Sequence, residues 1–173
     1  MNAVIQNIME RRSWRSYEER QITDEELNTI VQCGLWAPSA MNQQSWHLTV
    51  VQNKELIRQL TEGCQKMMGR EADPFYGAPT LVLVTGREDC IDPIKDGSLA
   101  IENMFLAAAS LGIGSCWINC LGRFLTTEDG KAFAQKCGMP EGHVGVGCVV
   151  LGYPKGEAPQ PKERVPGSVT ILK

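Results

Sequence analysis

The segment from Ala78 to Thr85 constrains the fold of this chain most, because its central run, Leu81-Val82-Leu83-Val84, is apolar on both faces. Successive side chains of a β-strand point to opposite faces of the sheet. A strand without a polar face must therefore be covered on both sides. The run predicts a central strand in a sheet that lies between two covering layers.

Apolar periodicity and helix-end signals predict the remaining elements. Thr23 and Glu26 have the spacing of a capping box, and Pro38 predicts that the helix they begin ends before Ala37. Helices are also expected over residues 4–12, around 56–60, over 94–111 and over 127–137, and strands over 46–51, 114–119 and 144–151. Helices that come first, followed by strands and helices in mixed order, predict a three-layer α+β fold.

The composition predicts a single domain. The chain has 173 residues, of which 43% are hydrophobic and 21% are charged, which is enough apolar material for one packed core. We expect residues 1–153 to form this domain. From Pro154 to Gly167 four prolines stand among charged residues, so residues 154–173 are expected to be an extended C-terminal arm of the same domain or dimer.

Charge and cysteine usage exclude several classes of protein. The formal net charge of −3 argues against nucleic-acid binding, which needs an excess of Lys and Arg on one face. No stretch approaches the length of about 18 apolar residues that a membrane span needs. Seven cysteines without a signal peptide argue against a disulfide framework and favour a reducing, cytoplasmic location.

Two glycine patterns do not predict a dinucleotide site. Gly112-Ile113-Gly114 follows a predicted helix, and Gly145-Val146-Gly147 lies inside a predicted strand. A Rossmann fingerprint needs a strand before it and a helix after it. Small residues for close packing are the better interpretation of both patterns.

A metal centre is not expected either. Cys116 and Cys120 are four residues apart on a predicted strand, which would separate them by about 13 Å. With only two histidines, His47 and His143, the sequence does not assemble a tetrahedral set of metal ligands. Buried free thiols are the expected state of the cysteines.

Two segments could bind an anion or a heterocycle. Arg11-Arg12-Ser13-Trp14-Arg15 offers three guanidinium groups and a hydroxyl within five residues, which suits a phosphate. A solvated basic turn has the same composition. The loop from Ala37 to Trp46 carries amides at Asn42 and Gln44, which can hydrogen-bond a heterocycle or simply belong to a surface loop.

Four segments together resemble the FMN-dependent nitroreductase family, in its short members of about 170 residues. They are Arg-Arg-Ser-x-Arg at 11–15, Ala-Pro-Ser-Ala-x-Asn-x-Gln-x-Trp at 37–46, Leu-Gly-Ile-Gly at 111–114 and Leu-Gly-Tyr-Pro at 151–154. The resemblance covers essentially the whole chain. It implies a three-layer α-β-α nitroreductase-like fold, with a central mixed, mainly antiparallel sheet flanked by helices, and a homodimer with FMN at the subunit interface.

The resemblance also implies a role for each matching residue. Arg11, Arg12, Ser13 and Arg164, with Lys162, would hold the FMN phosphate, and Arg15 would lie beside the pyrimidine edge of the flavin. The loop that the partner subunit offers to the flavin would contain Pro38, Ser39, Ala40, Asn42 and Gln44. The main chain of Trp117, Ile118, Asn119 and Cys120 would run along the ring, with a backbone N–H of Asn119 or Cys120 bonded to flavin N5.

The implied activity is an NAD(P)H-dependent flavin oxidoreductase. NADH or NADPH would give a hydride to N5, and nitroaromatics, quinones or similar small molecules would take the electrons in a ping-pong scheme. No catalytic side chain and no metal are assigned. Other tasks on the same fold stay open, namely reductive dehalogenation, heterocycle oxidation, or flavin storage or sensing without NAD(P)H turnover.

The chain departs from the family pattern in two places. Ser45 stands where a proline commonly precedes the Trp, and Asn119 stands where longer members carry an acidic residue. The short chain leaves little room for extra helices over the substrate side, which predicts an open pocket. Asp73-Pro74-Phe75-Tyr76 is either the part that varies with substrate or a plain surface turn.

Overall fold

Four strands form one sheet in the order β1-β2-β4-β3, and every neighbouring pair is antiparallel. The computed structural model describes all 173 residues. The helices are α1 (Ala3–Glu10), α2 (Asp24–Leu35), α3 (Lys54–Met68), α4 (Pro93–Ser110), α5 (Cys120–Phe124) and α6 (Glu128–Lys136), and a 3₁₀ turn spans Ala40–Asn42. The strands are β1 (Trp46–Val51), β2 (Thr80–Arg87), β3 (Gly114–Ile118) and β4 (His143–Gly152).

The central position of β2 confirms what its apolar run predicts. Leu81 and Leu83 are fully buried on one face with α3, α5 and α6. Val82 and Val84 are fully buried on the other face with α2 and α4. Each such side chain contributes about 1.5–3 kcal/mol of burial free energy. The strand is therefore stable only between two layers, and the three-layer α+β architecture is confirmed.

The parallel part of the expected mixed sheet is small within one chain. All ladder pairs are antiparallel, and the only parallel pairing is an isolated bridge between Ser13 and Ser115. Ser115 belongs to β3, which is an edge strand of the sheet, so the bridge places the N-terminal segment alongside that edge.

Local signals set the ends of the helices as the sequence predicts. At the start of α2 the Glu26 backbone N–H donates to Thr23 Oγ1 over 3.2 Å, and the Thr23 N–H donates to Glu26 Oε2 over 2.8 Å. These two bonds are the predicted capping box. After α4 the chain turns at Gly112, whose φ of 71° lies in the left-handed region that suits glycine.

Helix α4 packs against the sheet and contacts both the loop 37–46, through Asp96, and Arg11, through Glu102 and Phe105. Gly97 brings it close to β4, because a Cβ at this position would lie 2.7 Å from Val146 Cγ2. Ala100 and Ala108 on the same helix are fully buried. Small residues thus allow α4 to lie directly on the sheet.

Helix α5 is the element that periodicity does not predict. The expected strand over 114–119 ends at Ile118, and Asn119 turns the chain into a helix that begins at Cys120. Leu121 and Phe124 then point inward, three residues apart and both buried. The prediction that Cys116 and Cys120 share a strand is therefore wrong, and the 13 Å spacing estimated from it does not apply.

Helix α1 and the C-terminal arm are the least covered parts of the chain. No residue of α1 is buried, and Val4 and Met9 are 67% and 61% exposed. Its one long-range hydrogen bond joins Asn7 Nδ2 to the Leu106 carbonyl over 2.8 Å. The arm begins beside the N-terminal segment through a bridge between Tyr17 and Pro154, and residues 160–173 are all exposed. No helix combines the length and apolarity that crossing a membrane requires.

Candidate functional site

The arginine-rich segment 11–15 runs beside the start of β3. Ser13 pairs in parallel with Ser115, and the Trp14 backbone N–H donates to the Ser115 carbonyl over 2.9 Å. Ser115 stands two residues before Trp117 on the same strand. The predicted phosphate segment and the predicted ring-side segment are thus neighbours.

A cavity of about 260 Å³ lies at the Arg11 and Arg12 end of this arrangement, with Ser115 in its wall. The Arg11 guanidinium lies 5.7 Å from the centre of the Phe105 ring and 3.9 Å from the half-exposed Glu102 carboxylate. An exposed ion pair of this length contributes little. Arg11 therefore keeps most of its five N–H donors for another anion.

Arg12 is held by main-chain carbonyls. Its Nη1 donates to the carbonyls of Met9 and Arg11 over 2.7 and 2.9 Å. Both contacts use one nitrogen of the guanidinium, and its remaining donors can meet an anion in the same cavity. The two arginines give this cavity two positive charges, against the single carboxylate of Glu10 that also lines it.

A second cavity, of about 280 Å³, lies at the other end of β3. Its walls include Tyr76, Trp117, Ile118, Asn119 and Cys120. The side chains around it are mostly apolar or aromatic, which suits a flat ring.

Arg15 lies near the second cavity, next to Tyr76 in its wall. Its guanidinium lies 5.9 Å from the centre of the Tyr76 ring. Tyr76 has a φ of 57°, a conformation that a bulky residue rarely adopts. Asp73 holds this turn, since its carboxylate accepts the backbone N–H groups of Phe75 and Gly77 over 2.8 and 2.7 Å.

The two cavities lie along a single strand. Ser115 lines the first, and residues 117–120 line the second. A strand rises about 3.3 Å per residue, so the two to three residues from Ser115 to Trp117 and Ile118, where the strand ends, separate the cavities by about 7–10 Å. An anion-binding pocket and a ring-binding pocket at this spacing suit one elongated ligand with a phosphate at one end.

The buried groups under the segment are neutral. Burial raises the pKa of Cys116, although Arg15 and Ser13 oppose the shift. Burial also raises the pKa of Tyr17, whose hydroxyl donates to the Trp14 carbonyl over 2.6 Å. The positive charge of the segment is therefore not balanced from below by a thiolate or a phenolate.

The loop from Ala37 to Trp46 has an unusual backbone. Met41, Asn42 and Gln44 have φ values of 50°, 55° and 46°. The Gln44 backbone N–H donates to Ser39 Oγ over 2.9 Å, and its side-chain amide donates to Asn42 Oδ1 over 3.1 Å. Non-glycine residues in this region cost free energy and persist only where neighbours hold them.

Asp96 of α4 is the neighbour that holds this loop. Its carboxylate is buried and accepts the Ala40 backbone N–H over 2.8 Å and the Ser45 hydroxyl over 2.9 Å. The residue that departs from the family pattern, Ser45, thus contributes a direct anchor. The sequence reasoning did not select Asp96. Its spacing of four from Ala100 and eight from Met104 places it on the buried face of the predicted helix, which is the signal that could have found it.

The loop and the arginines lie at different places along α4. The loop is anchored at Asp96, whereas Arg11 contacts Glu102 and Phe105. Six to nine residues of helix separate these points by about 9–14 Å. The cavity that Arg11 and Arg12 line contains none of residues 38–44. One chain therefore does not bring Pro38, Ser39, Ala40, Asn42 and Gln44 to the arginine cavity.

The predicted basic residues of the arm also stay apart. Lys162 and Arg164 are exposed and make no hydrogen bond or ion pair with the segment 11–15. Within one chain the structure therefore places Arg11, Arg12 and Ser13 beside Ser115, and Arg15 beside Tyr76, which shares a cavity wall with residues 117–120. It leaves the loop and the arm elsewhere.

Comparison with known proteins finds relatives among nitroreductases and flavin oxidoreductases. The model of the nitroreductase family matches residues 8–75 and 65–153. A candidate NADH dehydrogenase/NAD(P)H nitroreductase of Archaeoglobus fulgidus is 36% identical over 91% of this chain and 88% of its own length. The NADPH-flavin oxidoreductase of Vibrio harveyi is 28% identical over 99% of this chain and 73% of its own length.

A solved structure shares the whole fold. The crystal structure of a nitroreductase with bound FMN from Bacteroides fragilis has a TM-score of 0.94 and 37% identity, and the match covers 100% of both chains. A likeness of this extent includes β3, the segment beside it and the loop anchored by Asp96.

Proposed function

This chain belongs to the nitroreductase family, and we propose that it works as an FMN-dependent NAD(P)H oxidoreductase on nitroaromatic, quinone or similar small-molecule acceptors. The FMN-bound structure from Bacteroides fragilis and the flavin oxidoreductase from Vibrio harveyi support this class of reaction. The observation that carries the proposal is the pair of cavities along β3, of which the first is lined by Arg11 and Arg12 and the second by Tyr76, the residue that Arg15 contacts.

The residues of the first cavity fit a phosphate. Arg11 and Arg12 line it, and Ser13 pairs with its wall at Ser115. Forked guanidinium donors bind phosphate through charge-assisted hydrogen bonds. We assign the phosphate contacts of FMN to Arg11, Arg12 and Ser13 of one chain, with Lys162 and Arg164 added by an arm.

The residues of the second cavity fit the flavin ring. When bound there, FMN supplies a two-electron carrier that NAD(P)H reduces and an acceptor reoxidises in turn. The Arg15 guanidinium, held near Tyr76, offsets negative charge at the pyrimidine edge of the ring. The main chain of Trp117 and Ile118, in the wall of this cavity, would run along the ring.

The main chain between β3 and α5 fits the reactive edge of the ring. The strand ends at Ile118 and the helix begins at Cys120. The first N–H groups of a helix have no partner inside it. We assign the hydrogen bond to the flavin N5 atom to the backbone N–H of Asn119 or Cys120, so no protein nucleophile is required.

Two copies of the chain would complete the site. The loop 38–44 lies about 9–14 Å along α4 from the arginine contacts, and the basic arm residues make no contact with them. Val4, Ile8 and Met9 of α1 are more than half exposed. A homodimer that covers α1 and brings the partner's loop and arm to each flavin explains all three features.

The first experiment tests the cofactor and the turnover together. The purified protein should be yellow, and anaerobic titration with NADH or NADPH should bleach it. A colourless protein that does not take up added FMN would overturn the flavin assignment. A yellow protein that keeps its colour under both donors would instead favour flavin storage or sensing.

Variants test the phosphate residues. Arg11→Ala and Arg164→Ala should each raise the Kd for FMN at least tenfold, since a hydrogen bond to a charged group contributes about 1.5–3 kcal/mol. Arg58→Ala is the matched control, because Arg58 is an exposed arginine held by Glu55 and Glu62 on α3. Equal weakening in all three variants would contradict the assignment.

A further variant tests the dimer. Ile8→Glu places a charge on the exposed apolar face of α1 and should convert the dimer to monomer in sedimentation velocity, with loss of bound FMN. Val50→Glu changes an exposed apolar residue of β1, at the opposite edge of the sheet from β3, and should leave the dimer intact. A wild-type chain that sediments as a monomer with FMN bound would refute the shared site.

A further inference from the structure

Two thiols lie in contact between α3 and α5. The Sγ atoms of Cys64 and Cys120 are 3.4 Å apart, although 56 residues separate them in sequence. Cys64 is fully buried, whereas Cys120 is half-buried and lines the cavity beside Trp117. Cys120 is therefore the less buried member of the pair, and Cys64 is protected in the core behind it.

The packing between the two helices brings these sulfurs together. Gly63 precedes Cys64, and a Cβ at this glycine would collide with the ring of Phe124 on α5. The absence of a side chain at Gly63 allows α3 to lie directly against α5. A disulfide is about 2.05 Å long, so side-chain rotation and a small helix shift must close about 1.3 Å between the two sulfurs.

The pKa shifts of the pair favour the sulfur of the half-buried Cys120 as the reactive one. The pKa of Cys120 is lowered, because the Cys64 thiol can donate a hydrogen bond to the Cys120 thiolate. The same bond and burial raise the pKa of Cys64. Burial also raises the pKa of Cys148, which has no exposed surface. A thiolate on the accessible member is the arrangement of reactive cysteines.

We propose that Cys120 and Cys64 form a peroxide-sensitive dithiol, in which Cys120 is oxidised first and Cys64 then closes a disulfide with it. In the first step the Cys120 thiolate attacks hydrogen peroxide, the O–O bond breaks, and Cys120 sulfenic acid and hydroxide form. In the second step the Cys64 sulfur attacks the sulfenic sulfur, an S–S bond forms, and water leaves. The two thiols lose two electrons in total, and peroxide oxygen accepts them.

This activity goes beyond the proposed reduction of small-molecule acceptors and uses no atom of the flavin. The disulfide would tie the first residue of α5 to α3 at the wall of the second cavity. A thiol-specific reductant would reverse it, so the pair would be a reversible modification site.

Peptide mapping tests the proposal. The purified protein is reduced, freed of reductant, treated with a few equivalents of hydrogen peroxide, blocked with N-ethylmaleimide and digested without reductant. The expected product is one linked peptide that joins Cys64 to Cys120, with a loss of two of the seven thiols. Dithiothreitol should restore both thiols. Cys120 should react at least tenfold faster than Cys148.

Three variants separate the roles. In Cys64→Ser the sulfenic acid of Cys120 should persist and be trapped by dimedone, whereas in Cys120→Ser the thiol of Cys64 should stay reduced. Cys137→Ser, which changes another half-buried thiol, should form the linked peptide as the wild type does. The proposal is overturned if the wild-type map contains no Cys64–Cys120 peptide, or if Cys33 or Cys137 is oxidised before Cys120. The wild-type map decides the question even if a variant does not fold.

Discussion

Replacement of Asp96 by alanine should destabilise the protein through the loop 37–46 that this residue anchors. The Asp96 carboxylate is 2% exposed and accepts hydrogen bonds from the Ala40 N–H and the Ser45 hydroxyl. Asp96→Ala removes both acceptors at once. Because the Ser45 side chain is 1% exposed, water cannot take the place of the carboxylate at that hydroxyl.

The magnitude follows from the burial of each donor. A fully buried donor left without a partner costs about 2 kcal/mol, and a half-buried one, which water reaches in part, costs about 1 kcal/mol. The Ser45 hydroxyl is of the first kind and the Ala40 N–H of the second. We therefore expect Asp96→Ala to lower the free energy of unfolding by about 3 kcal/mol. Asp96→Asn keeps an acceptor for Ala40 and should cost about 1 kcal/mol.

Equilibrium unfolding in urea measures these changes, with an m-value that should stay constant. Asp92→Ala is the matched control, since Asp92 begins the same helix but pairs with exposed Lys95 over 2.7 Å, a contact that contributes less than about 1 kcal/mol. A double mutant of Asp96→Ala and Ser45→Ala should lose at least about 1 kcal/mol less than the sum of the single mutants. The reasoning is refuted if Asp96→Ala costs no more than Asp92→Ala, or if the double mutant is additive.

Three further changes test other features of the fold. Gly97→Ala should lower the free energy of unfolding by about 1–3 kcal/mol, because the new Cβ would lie 2.7 Å from Val146 Cγ2. Thermal unfolding should show that a Val146→Ala background recovers part of this loss. Without such a recovery, the strain would lie elsewhere. Thr23→Ala removes the capping box of α2 and should cost about 1 kcal/mol in urea unfolding, whereas Thr23→Ser should cost only a few tenths. Burial lowers the pKa of His143 in the folded protein. As the pH falls through about 6.5, this histidine therefore binds a proton more readily in the unfolded state than in the folded state. The free energy of unfolding should fall as the pH is lowered from about 7.5 to about 5.5. His143→Gln should remove this part of the pH dependence, and an unchanged slope would show that another group is responsible.

Much of the fold follows from local patterns in the sequence. The apolar run at Leu81–Val84 has one stable environment, a strand between two layers, and that is where β2 lies. The capping box at Thr23 and the glycine at 112 likewise set helix ends by contacts within a few residues. Such signals need no tertiary information, because the interactions that decide them are local or depend only on burial.

Helix α5 shows where this reasoning stops. Five residues are too few to display a helical period, and Trp117-Ile118-Asn119-Cys120 continues a strand-like sequence. The chain turns at Asn119 because Leu121 and Phe124 are buried against α3 and α6. That burial depends on residues far away in sequence, so no local pattern contains it.

The candidate site divides in the same way. By itself the sequence determined which residue types are available for the proposed chemistry, since Arg11, Arg12, Ser13 and Arg15 offer the donors that a phosphate and a charged ring edge need. Only the tertiary structure decided which groups lie together: a parallel bridge sets Ser13 beside Ser115 of β3, and the buried carboxylate of Asp96 holds the loop 37–46 at a distance from the Arg11 contacts along α4. The physical reason is that residue type sets which bonds a group can make, whereas the packing of distant segments sets which groups are close enough to make them.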